Sequence, residues 1–546
     1  MKKTLPFFLV TLVMAAWSMQ ALGQAEISQP NGVPYLTPNS VLYGSDIIID
    51  DQPAQDQRNV SISVAFNGWL YACYSVNESG SWSWRIFKSE DDGASWSLLR
   101  NQALSTNWYV SNVEIVVTGT TVPDLKVFVG RILNNDVSAN SEMIISQLDG
   151  NSGNTLVTLR DNIVSGTDIF RDISLASDYR FPAFSASPFS VGILYSKSIA
   201  ARDSIVCLTS SDGGMSITAE NVVTTTVGYT RNVSLAYGRC WNYFNGRYFA
   251  AWEERSSAMN DLGQIFTAHS TTYFYDPFTS PVRLDNLIGS TADYARNPSI
   301  ACQFNDTDND LLNLTEVVLF DRAFNGTLTD FDIVGCYNKE AASTDNWYIF
   351  GLNATYLTSD FQPDIHFDPG YNNFLATYYN STDQKLPYVV KYMDFADPYN
   401  WILISDHYND GVNLMNPYPK VEINPVYNQV AHVWNTEGAG GGVAVFDAEY
   451  SHLGVADRTP QTVSVSVSPN PASNTATFRV DLKVPGSLVA DLYTLQGTKV
   501  LRLASGEFSS GVQHFTADVS SLPAGCYLFR VAVGAGASTG RLIIQR

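Results

Sequence analysis

Four arginines occupy matching places along the chain. Each opens a short apolar segment: Arg58-Asn59-Val60-Ser61-Ile62, Arg180-Phe181-Pro182-Ala183-Phe184, Arg231-Asn232-Val233-Ser234-Leu235 and Arg296-Asn297-Pro298-Ser299-Ile300. A guanidinium presents paired N–H donors that match a carboxylate or a sulfate. Four of them brought together would bind an anionic ligand. The plainer reading is that each pairs with an acidic neighbour, since Asp and Glu total 53 against 32 Lys and Arg. Glu78, Glu253, Glu254, Tyr378 and Tyr379 are polar residues of the repeats that could do chemistry. Loop tips explain the glutamates better and strand packing explains the tyrosines, so no catalytic residue is assigned. Asp306, Asp308 and Asp310 alternate as in a calcium loop, but no Gly or closing Glu follows at the expected offset. A solvated hairpin tip is the preferred reading, and calcium is the only cofactor the residues suggest. No zinc spacing, phosphate loop or nucleophile elbow is present.

Two further segments have the chemistry of a tight turn. They are Ser89-Glu90-Asp91-Asp92-Gly93-Ala94-Ser95-Trp96 and Ser210-Ser211-Asp212-Gly213-Gly214-Met215-Ser216. A short Asp side chain can accept bonds from turn amides, and Gly permits positive φ. Trp96 can pack beneath its turn, where the second copy has Ile217.

The elements that position these residues form repeats. Arg58, Ser111, Arg180, Arg231, Arg296, Gln362 and Tyr418 each start a segment followed by a strongly apolar one, at intervals of about 50–70 residues. That spacing suits one four-stranded blade of a propeller. Runs such as Tyr248-Phe249-Ala250-Ala251-Trp252 are apolar on both faces, as a sheet sealed by two neighbours requires. The expectation is an all-β protein: a seven-bladed β-propeller over residues 24–455, a linker at 456–461 and a small β-sandwich over 462–546. The segment Val41 to Asp50 is expected to supply the last strand and close the ring, removing exposed edges.

The net charge is −21, which disfavours nucleic acid and anionic lipid as partners. Lys2 and Lys3 precede an apolar run from Leu5 to Trp17 and small residues at Ala21 and Gly23. This is the pattern of a secretory signal over residues 1–23. No other stretch is apolar for long enough to span a bilayer, so no transmembrane segment is expected. Six cysteines lie far apart, and Cys302 with Cys336 is the one candidate disulfide.

The first turn segment matches S-x-D-x-G-x-[S/T]-W, and the second repeats it with Ile217 in place of Trp, so both resemble the Asp box, or bacterial neuraminidase repeat, of sialidase-like propellers. The resemblance rests on Ser89, Asp91, Gly93, Ser95 and Trp96, and on Ser210, Asp212 and Gly214. In that family the box marks architecture and lies away from the catalytic pocket. The C-terminus resembles the type IX secretion sorting domain through Ser468-Pro469-Asn470-Pro471, Ala490-Asp491-Leu492-Tyr493, Gln496 to Val500, Leu522 to Leu528 and Arg541-Leu542-Ile543-Ile544. That resemblance implies export by the type IX machinery of a Gram-negative bacterium, followed by release or attachment at the cell surface. The functions it leaves open are binding of an extracellular glycan or protein ligand, sialidase-like hydrolysis of anionic sugars, and adhesion.

Overall fold

The computed structural model describes residues 46–50, 56–119, 122–178, 189–239, 246–258, 263–288, 294–303, 314–323, 331–339, 347–352, 359–368, 373–392, 402–408, 414, 417–424, 429–438, 441–450, 464–482, 486–494, 499–508, 511–533 and 536–545. The secretory signal, the linker, Arg180, Asp306, Asp308 and Asp310 lie outside them. The chain divides into two compact units, residues 1–451 and 452–546.

Strand-forming sequence dominates the first unit. The segment Arg247–Arg255 shows why: Tyr248, Phe249, Ala250, Ala251 and Trp252 are all fully buried. Successive side chains on a strand point to opposite faces. Tyr248, Ala250 and Trp252 accordingly join one apolar cluster, and Phe249 and Ala251 join another. Each fully buried aromatic contributes about 1.5–3 kcal/mol. One sheet alone could seal only one of those faces.

Among the described residues the first unit contains seven four-stranded antiparallel sheets. Their innermost strands are Asp56–Val64, Trp108–Thr118, Ile169–Ser177, Tyr229–Gly238, Ala295–Cys302, Asp360–Asp368 and Lys420–Asn424. Each innermost strand lies beside the next, and the last lies beside the first, in a propeller-like succession. The final sheet takes its outermost strand from the other end of the unit: Ile47 pairs with Phe446 and Ile48 with Val445. Outermost strands such as Ser97–Ala103 are largely exposed and carry polar residues.

Two expectations need correction. The third sheet begins at Ile169–Ser177, so Arg171-Asp172-Ile173-Ser174-Leu175 is its repeat segment, and Arg180 follows the strand instead of opening it. The Pro and Phe residues after Arg180 imitate the pattern. Cys302 and Cys336 form no disulfide. They are buried thiols on the first and third strands of the fifth sheet, and Cys73 and Cys207 are buried thiols elsewhere.

The second unit has a three-stranded sheet (Ser464–Ser468, Thr475–Leu482, Gly511–Asp518) and a four-stranded one (Gly486–Thr494, Lys499–Phe508, Gly525–Val533, Gly536–Ile544). Phe478 and Val480 of one sheet share a single cluster with Leu488, Leu492, Phe529 and Leu542 of the other. No helix among the described residues of either unit is long and apolar enough to cross a membrane.

Candidate functional site

The innermost strands surround a cavity of about 420 Å³. Its geometry originates in one recurring backbone feature. Asn59, Asn232, Asn297, Gln362 and Tyr418 all have positive φ, at 56°, 50°, 51°, 53° and 44°. Asn adopts this region more readily than most residues, whereas Gln and Tyr are held there by their surroundings. The pairing register of the first, fourth, fifth and sixth sheets slips at this residue, as in a β-bulge.

The bulge turns the backbone N–H toward the preceding sheet. Asn232 donates to Asp172 Oδ2 at 2.5 Å, Asn297 to Glu253 Oε2 at 3.2 Å, Gln362 to Asp321 Oδ1 at 3.4 Å and Tyr418 to Gln362 Oε1 at 3.0 Å. A second tier runs deeper. The amides of Leu235, Ile300, Ile365 and Val421 donate to Ser174, Ser234, Ser299 and Asp364 of the preceding strands, at 2.9–3.2 Å. The cavity wall is thus a polar ring in which sheet joins sheet through side-chain acceptors.

Charge is concentrated on that ring. Burial raises the Asp172 and Glu114 carboxyls above their usual range. The Asn232 amide and Arg231 oppose the shift at Asp172, and Lys420 opposes it at Glu114. Burial works against the positive charges of Arg231 and Lys420. Glu253 and Asp172 overcome it at Arg231, and Asp364 and Glu114 at Lys420, so both cations are held above their ordinary values. Burial lifts Asp321 to about 6 against the pull of Arg296. Lys420 Nζ lies 3.3 Å from Asp364 Oδ1, and Ser61 donates to Glu114 at 2.7 Å. Asn232 joins two carboxylates: its amide meets Asp172, and its side chain donates to Glu253 Oε2 at 2.7 Å.

The arginines picked out from the sequence differ in their surroundings. Arg231 lines the cavity between Asp172 and Glu253. Arg296 sits 3.3 Å from Asp321 and 3.9 Å from the Phe331 ring centre. Arg58 pairs with Asp56 at 2.6 Å and is largely exposed. Each of these three guanidiniums therefore has a carboxylate neighbour. Glu253 is no loop tip: it is fully buried within its strand and contacts Arg255. Tyr378 and Tyr379 are buried in the sixth sheet, Glu78 contacts Arg85, and Trp84 is core. Asp172, Glu114, Asp364 and Lys420 escaped the sequence reading. Aligning the repeats would have exposed Glu114, Asp364 and Lys420, because Ser61, Glu114, Ser174, Ser234, Ser299, Asp364 and Lys420 fill one column two residues after the Asn59 position, and Asp172 holds the Asn59 position of its own repeat.

The two turn segments have the same internal bonding. Ser89 and Ser210 donate to Asp91 and Asp212 at 2.8 Å, and Gly93 and Gly214 donate back to those serines at 2.8 and 3.0 Å. Ser95 and Ser216 each bond their Asp through both amide and hydroxyl. Each turn joins the third and fourth strands of its sheet. Gly93 has φ 88°, and a Cβ there would sit 1.9 Å from the Phe446 ring, so only Gly fits. Trp96 meets the same Phe446 edge-on at 5.3 Å.

Among the described residues of the second unit, Asp491 is the one buried charged group. Residues 466–545 match the secretion system C-terminal sorting domain. The chain carries a type IX sorting tail, which makes it a secreted or cell-surface protein of a Gram-negative bacterium. No curated protein matches the chain. Among solved structures it is similar to the α-L-arabinofuranosidase Arb93A of Fusarium graminearum, with 12% identity, TM-score 0.40 and coverage of 74% of this chain and 98% of that one. It is also similar to an α-L-arabinanase of Penicillium chrysogenum, with 11% identity, TM-score 0.39 and coverage of 74% and 97%. A protein of unknown function from Dyadobacter fermentans gives 11% identity, TM-score 0.41 and coverage of 74% and 98%. Likeness at this level leaves the chemistry of the site to its own residues.

Proposed function

We propose that the first unit is a closed seven-bladed β-propeller, that the second is a β-sandwich sorting tail, and that the exported chain binds an extracellular glycan at the axial cavity. The observation that carries this reading is the polar ring of Asp172, Arg231, Asn232, Asn297 and Lys420, in which every cation faces a carboxylate. The cavity lining has four carboxyl groups, Glu114, Asp172, Asp364 and Glu422, against the two cations Arg231 and Lys420, so it offers donors and acceptors to hydroxyl groups without attracting an anion. Neutral sugars therefore suit it better than sialylated or sulfated ones. The paired turn segments support an Asp-box propeller architecture without assigning an activity.

A sialidase-like hydrolase is the second reading. The meeting of Asp172 and Glu253 at Asn232 favours it, because glycoside hydrolysis uses two nearby carboxyl groups. Against it, the arginines that would hold a substrate carboxylate already face acids. The test is a glycan array probed with the full chain and its Asp172→Asn variant, beside hydrolysis assays on the same sugars. Neutral oligosaccharides are expected to bind, with affinity lost in the variant and no turnover. Binding confined to anionic glycans would overturn the first reading, and release of sugar abolished by Asp172→Asn would establish the second.

A further inference from the structure

A second cavity, of about 280 Å³, opens between the first and second sheets, away from the axial ring. It is built from Trp84, Arg100 and Gln102 of one sheet and Trp108, Arg131, Glu142 and Ser146 of the next, with Leu104 from the connection between them. We propose that this slot binds a small organic carboxylate carrying an apolar tail, with Arg131 and Arg100 holding the carboxylate and Trp84, Trp108 and the leucines holding the tail.

The argument starts from groups left without partners. Arg131 is 9% exposed, and its Nη1 is buried with no hydrogen bond; its Nη2 alone reaches Ser146 Oγ, at 3.3 Å. Arg100 bonds the Gly153 carbonyl and Gln102, yet its Nε is buried and unbonded. The indole Nε1 of Trp84, a residue 1% exposed, is also unbonded. Buried donors without acceptors are costly, at about 1–3 kcal/mol each, and more for charged groups. Three of them lining one cavity mark a place where an acceptor belongs.

The electrostatics agree. Two guanidiniums crowd one indole, with Arg131 Cζ 4.6 Å and Arg100 Cζ 5.9 Å from the Trp84 ring centre. Burial lowers Arg131 to about 10, and the like charge of Arg100 pushes it the same way. Glu142 and Asp161 are the nearby acids. Burial raises the Glu142 carboxyl, and Asp161 raises it further, while Arg131 pulls it the other way. A planar carboxylate matches the guanidinium fork. Leu104, Leu133, Ile144, Leu148 and Trp108 give the slot an apolar wall suited to a tail.

The test is isothermal titration of the full chain with 3-phenylpropanoate and with its uncharged counterpart 3-phenylpropan-1-ol. The acid is expected to bind and the alcohol to bind at least about tenfold more weakly. Arg131→Gln should weaken the acid by about tenfold or more. Arg100→Gln, on the more accessible strand, should weaken it as well while leaving the melting temperature unchanged, which separates lost recognition from lost folding. Equal affinity for acid and alcohol, unchanged affinity in the Arg100→Gln protein, or no heat from the acid at about 10 mM would each overturn the proposal.

Discussion

The two units of this chain solve the same folding problem with opposite uses of polarity. The second unit buries one apolar cluster, and its principal ion-pair group, Asp491 with Lys499 and Arg502, has cations that are half exposed. The first unit buries Glu253, Asp321, Glu316, Arg255 and Arg322 inside its sheets. Removing charges from water is expensive, and apolar residues of similar size often serve stability as well or better. Among the described residues of the second unit only Asp491 is a buried charged group, and its two cations reach solvent. At the cavity of the first unit stand Glu114, Asp172, Arg231, Asp364 and Lys420, held by bulges and interstrand bonds.

Truncation separates the two designs most strongly. Glu253→Ala removes the buried carboxylate that faces Arg231, Arg255, Asn232 and Asn297 and leaves their donors short of an acceptor. A loss of about 3–5 kcal/mol is expected in the unfolding transition of the first unit. Phe478→Ala opens the single cluster of the second unit and should cost about 3–5 kcal/mol there. Calorimetry of the full chain should show each variant shifting one transition and leaving the other in place. Transitions that move together in both variants would mean that the units do not fold independently, and the contrast would fail.

Proton uptake gives an effect of a few kcal/mol with a definite sign. Burial raises Glu316 from its ordinary value to about 8, with Asn338 and Arg247 pulling the other way. The same cause brings Asp92 to about 7 and Asp178 and Asp321 to about 6. The folded state thus keeps protons that the unfolded chain releases near pH 4, so the stability of the first unit falls as pH rises from about 4.5 to about 8. Asp491 shifts the other way. Burial would raise it, but its bonds to Arg502 and Lys499 prevail and hold it below the usual range, so its contribution is complete above pH 4 and lost only on acidification. Between pH 5 and pH 8 the first transition should move down in temperature while Asp491 leaves the second unmoved. Glu316→Gln should flatten much of the first slope, with little change at pH 4 and the largest gain above pH 8. A Glu316→Gln slope identical to that of the parent would show that this carboxyl ionises normally.

Much of this arrangement could be read in the sequence, for reasons that also explain the omissions. Strands sealed on two faces produce runs such as Tyr248 to Trp252, and the chain repeats them often enough to announce a radial arrangement of sheets. Turn chemistry is equally local, so the bonds of Asp91 and Asp212 followed from spacing alone. The third repeat was misplaced because Arg180-Phe181-Pro182 looks more like its companions than Arg171-Asp172-Ile173 does. The site itself escaped because its members are far apart in sequence. Asp172, Glu253, Asp321 and Lys420 converge only when the innermost strands stand side by side, and Glu253 looks like a loop residue unless its strand is known to continue to Arg255.

The turns supply the smallest and sharpest test of the contrast. If burial of charge is what sets the first unit apart, an Asp that is partly exposed there should behave as one would in the second unit. Asp212 fits that description: it accepts bonds from Ser210, Met215 and Ser216, and those bonds hold its carboxyl below the usual range although burial would raise it. Asp212→Ala should cost about 1–2 kcal/mol in urea unfolding, the ordinary value of a few solvated hydrogen bonds. Asp91 makes equivalent bonds, but its turn also leans on the closing sheet through Trp96 on Phe446 and through Asn424, which donates to Asp92 at 3.0 Å. Asp91→Ala should therefore cost more than Asp212→Ala, and only the Asp91 variant should loosen the sheet that joins the two ends of the first unit. Hydrogen exchange at the Ile49 amide, which donates to Ala444, reads that loosening directly. Equal protection of Ile49 in both variants would show that the turn is local and that the closing sheet is held by its own pairing.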